Sequence, residues 1–194
     1  MEYKHGRTIC VSTQIGCKMG CKFCASTGVK FARSLETGEI IEQLLAIERD
    51  ENIHISNLVF MGIGEPLDNY DNVMKFIRII NHNKALSIGA RHITISTCGI
   101  VPKIIEFSKE NLQVNLAISL HASNDQIRNK LMPINKAYNI EKLMDSLKIY
   151  LNLDFYLIDF LRLNCYIISI NRGGKMIKAV FFDLDGTLLP LNED

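Results

Sequence analysis

Three cysteines within eight residues, Cys17, Cys21 and Cys24, constrain this chain more than any other feature. Thiolates spaced by three and then two residues can wrap one face of an iron–sulfur cubane in a tight loop and leave one iron without a protein ligand. Four cysteines close such a cluster; three keep a position open for chemistry. Gly16 and Gly20 relax the backbone where the loop must turn around the metal. Zinc is the competing reading, since it takes four ligands, and Cys10 is the one further candidate near the loop. Unrelated free thiols are the third, and spacing alone leaves all three open.

The remaining composition sets bounds. The chain has 194 residues, 47% apolar and 22% charged, which is enough for one domain with a sizeable core and argues against disorder. A formal net charge of +1 selects no partner and argues weakly against a self-sufficient nucleic-acid binder. No apolar run reaches the length of a membrane span, and the opening MEYKHGRTIC lacks the apolar block of a signal peptide. The expectation is a cytoplasmic protein that binds no membrane. Cys98 and Cys165 lie in apolar, strand-like runs and read as buried free cysteines.

Strand-like and helical segments alternate along the chain. Thr8–Ser12, Ile55–Met61, His92–Thr97 and Val114–Leu120 read as strands. Helices are expected after Thr37 as N-cap, over Asn69–Asn81, Pro102–Ser108 and Asp125–Leu131, and after an Asn139 cap. Such alternation predicts an α/β fold with a parallel sheet. The polar residues of interest fall where strands end: the cysteine loop after the first, Gly64-Glu65 after the second, Ser96-Thr97 closing the third and Ser119-Leu120-His121 closing the fourth. Parallel α/β sheets place ligands at that edge. A strand ending in a glycine turn can bring carbonyls and a carboxylate to an ammonium group. Hydroxyls and an imidazole can hydrogen-bond a ribose or a carboxylate. Taken singly, Glu65 at a Gly-Glu-Pro turn and the lone His121 would each read as structural.

The cysteine spacing, with Phe23 before the third cysteine, resembles the radical-SAM superfamily. Five segments together resemble one family within it, the dual-specificity 23S rRNA and tRNA adenine-C2 methyltransferases. These are GRTICVSTQIGCKMGCKFC, Phe31–Ile40, MGIGEPLDNYDNV, HITISTCGIVP and LAISLHASNDQIRNKLMPINKAYNIEKL, spanning about Gly6–Leu151. The resemblance implies a partial radical-SAM (β/α) barrel of four to five parallel strands, incomplete on its C-terminal side. It implies a [4Fe-4S] cluster on Cys17, Cys21 and Cys24, and S-adenosylmethionine (SAM) bound by Gly64, Glu65, Ser96, Ser119, Leu120 and His121. Catalysis in the family uses two cysteines, one that carries a methyl group and one that resolves the protein–RNA adduct; Cys10 matches the second. The implied partners are 23S rRNA, tRNA and a flavodoxin-like electron donor, with no DNA. A sister group methylates C8 of the adenosine instead. The family's N-terminal accessory domain, its last barrel strands and its methyl-carrying cysteine have no counterpart in the sequence. The expectation is therefore that the chain as given cannot methylate RNA, with a silent iron–sulfur and SAM-binding fragment as the alternative.

The character of the sequence changes after residue 153. The stretch 154–175 lacks a helix–strand rhythm, and residues 176–194 restart with Ala179–Leu189, which resembles the first motif of haloacid-dehalogenase-like hydrolases around Asp183 and Asp185. The expected organisation is a radical-SAM core over 1–153, a discontinuous stretch, and the first strand and loop of a hydrolase-like fragment. Without later motifs the two aspartates do not make a phosphatase.

Overall fold

In chain order the strands are β1 Glu2–Tyr3, β2 Gly6–Cys10, β3 Gln14–Ile15, β4 Arg33–Ser34, β5 Asn57–Phe60, β6 Ile93–Thr97, β7 Asn115–Ser119, β8 Ile168–Ile170 and β9 Lys178–Asp183. The helices are α1 Thr37–Glu51, α2 Tyr70–Asn81, α3 Val101–Ser108, α4 Asp125–Leu131 and α5 Ile140–Leu151. The computed structural model describes residues 2–3, 6–151, 168–170 and 178–183, and the side chains of 6–151. The main sheet runs β1-β2-β5-β6-β7-β9-β8. Neighbours from β2 to β9 are parallel, and the outermost strand on each side is antiparallel. The expected α/β parallel architecture is therefore present.

Register decides which residues share a face. Ile9 lies beside Leu58, Leu58 beside Ile93, Phe60 beside Ile95, and Ile95 beside Leu116. Side chains alternate along a strand, so these residues and Ile118 form one apolar face. All are buried, in one core with Ile40 and Leu44 of α1, Val73, Phe76 and Ile77 of α2, Ile104 and Phe107 of α3, and Leu143, Leu147 and Tyr150 of α5. The opposite face carries Cys10, Val59, Thr94, Ser96, Ala117 and Ser119, small or polar residues that no apolar layer needs.

Most elements fall within two or three residues of their expected bounds. Asn139 caps α5 as anticipated, its side chain accepting from Lys142 N–H at 3.1 Å. Thr37 is not the cap of α1. Glu36 takes that place in a capping box with Glu39, whose carboxylate accepts from Glu36 N–H at 2.8 Å. A carboxylate three residues into the helix makes this reciprocal pair the better cap, and the Thr37 hydroxyl turns to the Asn72 side chain at 3.1 Å. The helix expected over Asn69–Asn81 begins at Tyr70, after a 3-10 turn at Pro66–Asn69. Two short pairings have no periodic signal in the sequence: β1 with β2, and β3 with β4.

The backbone of Lys178–Asp183, in the segment that resembles a hydrolase motif, lies parallel to β7, with Asp183 opposite Ser119. Asp185 and the rest of that motif lie outside the described residues, as do Cys165 and most of 154–175.

Phe76 is fully buried and meets Phe60 edge-on, ring centroids 5.5 Å apart. Truncating Phe76→Ala removes that contact and leaves a cavity, and should cost about 3–5 kcal/mol. Urea unfolding followed by circular dichroism measures this.

Candidate functional site

The cysteine loop leaves the sheet after β2 and is pinched at its base. β3 pairs with β4 there, Gln14 opposite Ser34 and Ile15 opposite Arg33, and Ala32 N–H donates to the Ile15 carbonyl at 2.8 Å. Gly16 has φ +74°, and a Cβ on it would stand 2.2 Å from the Lys30 carbonyl oxygen, so only glycine allows the two limbs to close. Inside the loop the Cys21 carbonyl accepts from Cys24 N–H at 3.1 Å and from the Thr27 hydroxyl. A 3-10 turn over Ala25–Gly28 follows. Cys21 is buried, Cys17 half-buried and Cys24 exposed.

The three thiols are electrostatically coupled. Burial pushes Cys21 up to about 11, and the charges of Cys17 and Cys24 push in the same direction. Burial also raises Cys17, against a hydrogen bond from the Met19 backbone, with Glu65 and Cys24 adding to the rise. Thiolates that oppose one another's ionisation are stabilised together by a cationic iron core, so the donor set fits a cluster. Among the described residues no three His, Cys, Asp or Glu side chains gather as they would around a single ion. A cubane asks for something else, because each thiolate takes its own iron.

Four of the expected site residues lie at the carboxyl ends of the strands with this loop. Cys10 ends β2, exposed. Ser96 and Ser119 lie near the end of β6 and at the end of β7, on the same face as Cys10, opposite the apolar core. His121 follows in a left-handed conformation (φ +49°), unusual for a residue with a side chain. Its ring lies 4.1 Å from that of Phe23, joining the end of β7 to the cysteine loop. Leu120 is half-buried and packs on the core.

Gly64 and Glu65 form the turn after β5, but their side-chain environment is not that of an open ligand site. Glu65 is 4% exposed. One carboxylate oxygen accepts from the Thr97 hydroxyl at 2.6 Å and Leu67 N–H at 3.1 Å, and the other from Cys98 N–H at 2.8 Å. Burial pushes its carboxyl up, and those donors pull against it. Gly64 (φ +103°) leaves no room for a Cβ, which would stand 2.5 Å from the Gln14 Cβ. Gln14 braces the turn: its amide oxygen accepts from Glu65 N–H at 3.0 Å, and its amide nitrogen donates to Asp68 at 2.7 Å.

Sequence reasoning passed over Gln14, Asp68, Arg128 and Asn135. Arg128 is fully buried. It donates to the carbonyls of Cys98 at 2.7 Å, Leu120 at 3.2 Å and Ser119 at 3.3 Å, and to the Asn135 side chain at 2.7 Å. An arginine on a polar helix such as DQIRNKL ordinarily reads as solvated, so no local signal sets it apart.

Comparison with known proteins agrees with this geometry. The profile of the Radical SAM superfamily matches residues 11–161. A probable dual-specificity RNA methyltransferase RlmN from Clostridium tetani is 59% identical over 152 residues, covering 78% of this chain and 44% of its own length. Its counterpart from Bacillus cytotoxicus is 54% identical over 155 residues, covering 78% of this chain and 43% of its own. The chain thus spans less than half the length of these relatives. The crystal structure of a radical SAM methyltransferase from Sphaerobacter thermophilus superposes with a TM-score of 0.74 at 41% identity, over 78% of this chain and 46% of that one.

Glu65→Gln retains the size of the side chain but replaces one acceptor oxygen with a donor facing Thr97 or Cys98. Leaving a buried donor unpaired should destabilise the fold by about 1–3 kcal/mol, read from chemical unfolding of the two proteins side by side.

Proposed function

The chain belongs to the Radical SAM superfamily, and from that premise we propose that it forms the radical-SAM core of an RNA methyltransferase acting on C2 of adenosine in 23S rRNA and tRNA. The observation that carries the reading is the gathering of the cysteine loop, Cys10, Ser96, Ser119 and His121 at one edge of a parallel sheet. The names of the two RNA methyltransferase relatives supply the substrate class.

Superfamily membership implies a [4Fe-4S] cluster and SAM as cofactors. Cys17, Cys21 and Cys24 would hold the cluster, and the pair when bound would supply a carbon-centred radical by one-electron cleavage of SAM. The chain's own residues have tasks as well. The tight Gly64–Glu65 turn would receive the amino group of SAM on its main chain, because the Glu65 carboxylate is already taken by Thr97, Leu67 and Cys98. Ser96 and Ser119 lie on the face opposite the core, where their hydroxyls would orient the nucleoside or carboxylate. His121, tied to Phe23, would close the site over the loop. Cys10 stands outside the triad and is exposed, so its thiol remains available as the resolving group.

A flavodoxin-like protein is the proposed electron donor, and the cytoplasm the proposed compartment. Free cysteines at 10, 17, 21, 24 and 98 suit a reducing compartment. Among the described residues no helix is long and apolar enough to cross a membrane.

Anaerobic reconstitution tests the cofactor part. About four irons per chain are expected, with an EPR signal of the reduced protein that changes on adding SAM, and Cys21→Ser should lose most of the iron. A chain that takes no iron would overturn the reading. Incubation with SAM, reductant and RNA, followed by mass spectrometry of the nucleosides, tests the substrate. Release of 5′-deoxyadenosine from SAM is the outcome expected of the core. 2-Methyladenosine would also support the C2 reading while overturning the expectation that the chain as given cannot methylate RNA, and 8-methyladenosine would move the chain to the sister specificity.

A further inference from the structure

One short stretch, α4 with the 3-10 turn Pro133–Lys136, touches three parts of the site: the cysteine loop, the end of β6 and the end of β7. Lys22 N–H, inside the cysteine loop, donates to the Leu131 carbonyl at 2.9 Å. Met132 packs with Cys21 and Cys98 in a small apolar cluster. Gly20 faces Pro133, whose Cγ lies 3.6 Å from the position a Cβ would take. From the same helix Arg128 reaches inward to the carbonyls of Cys98, Ser119 and Leu120. The end of β6, the end of β7 and the cysteine loop are thus fastened to one helix.

The guanidinium at the centre is fully buried. Asn135, the one side chain it donates to among the described residues, is held in place by Asp125 at 2.8 Å and Asn129 at 2.9 Å. A buried guanidinium is screened less by solvent and salt than an exposed one. That charge stands 2.7 Å from the Cys98 carbonyl, and Cys98 packs with Cys21 and Met132 in one buried cluster, so the guanidinium lies beside the cysteine loop. Fixed charge near an iron–sulfur cluster is one of the levers on its reduction potential.

We infer that Arg128 is a positioning residue of the site: it locks the ends of β6 and β7 against the cysteine loop and holds a fixed positive charge beside that loop. The inference rests on the cluster and SAM reading above. Its two parts separate by substitution. Arg128→Lys retains the charge but cannot reach four acceptors at once. Arg128→Gln removes the charge and retains part of the hydrogen bonding.

The experiment is anaerobic reconstitution of the full chain and both variants, with iron content, a mediated redox titration followed by EPR, and SAM affinity from the EPR change. Arg128→Gln should show a lower midpoint potential than the parent at equal iron content. Arg128→Lys should stay near the parent potential while SAM binds about tenfold more weakly, the equivalent of one lost hydrogen bond to a charged group. A purely structural arginine would not separate potential from affinity in this way. Parental potential in a fully loaded Arg128→Gln protein overturns the inference. If Arg128→Gln does not fold, Arg128→Lys decides, and parental SAM affinity there overturns it. A parent chain that takes no cluster is a failure of the underlying reading instead, and the two failures are distinguishable by the iron content of the parent.

Discussion

The carboxyl edge of the sheet depends on the backbone of a single residue held between two buried ionisable side chains. Cys98 donates its N–H to the Glu65 carboxylate at 2.8 Å, and its carbonyl accepts from the Arg128 guanidinium at 2.7 Å. Either group alone in the interior would cost several kcal/mol in lost hydration. Each is offset by hydrogen bonds, three donors on Glu65 and four acceptors around Arg128. The polar accounting closes only if the turn after β5, the end of β6 and the end of β7 keep their relative places. That is the rigidity a radical enzyme needs, since a reactive carbon centre must meet its target before anything else.

The sheet supplies the rest by alternation. One face is a continuous apolar layer covered by α1, α2, α3 and α5. The other is lined by Cys10, Val59, Thr94, Ser96, Ala117 and Ser119, side chains short enough to leave space. Parallel pairing brings all the carboxyl ends to one edge, so loops far apart in sequence converge there. The cysteine loop reaches the same place because β3 and β4 clamp its base and Gly16 lets its limbs touch.

Much of this was legible in the sequence. The cysteine spacing, the strand ends and the α/β rhythm are local patterns, written in residue type and period. The cap of α1 was misread, because Thr37 is the more familiar cap residue and the Glu36–Glu39 capping box takes its place. What was not legible shares a feature: its meaning depends on a partner far along the chain. Glu65 reads as a residue at a turn, and only its encounter with Thr97 and Cys98 turns its carboxylate inward. Arg128 reads as a charge on a polar helix, and only the convergence of β6 and β7 makes it the centre of the edge.

The sequence by itself determined the alternation of elements, the loop that can hold a cluster and the resemblance that names the chemistry, because each is carried by residues within a few positions of one another. Tertiary structure decided which face of the sheet carries the core and which polar side chains are committed to the fold. Burial and hydrogen-bond satisfaction are properties of groups brought together from distant positions, so no local pattern records them.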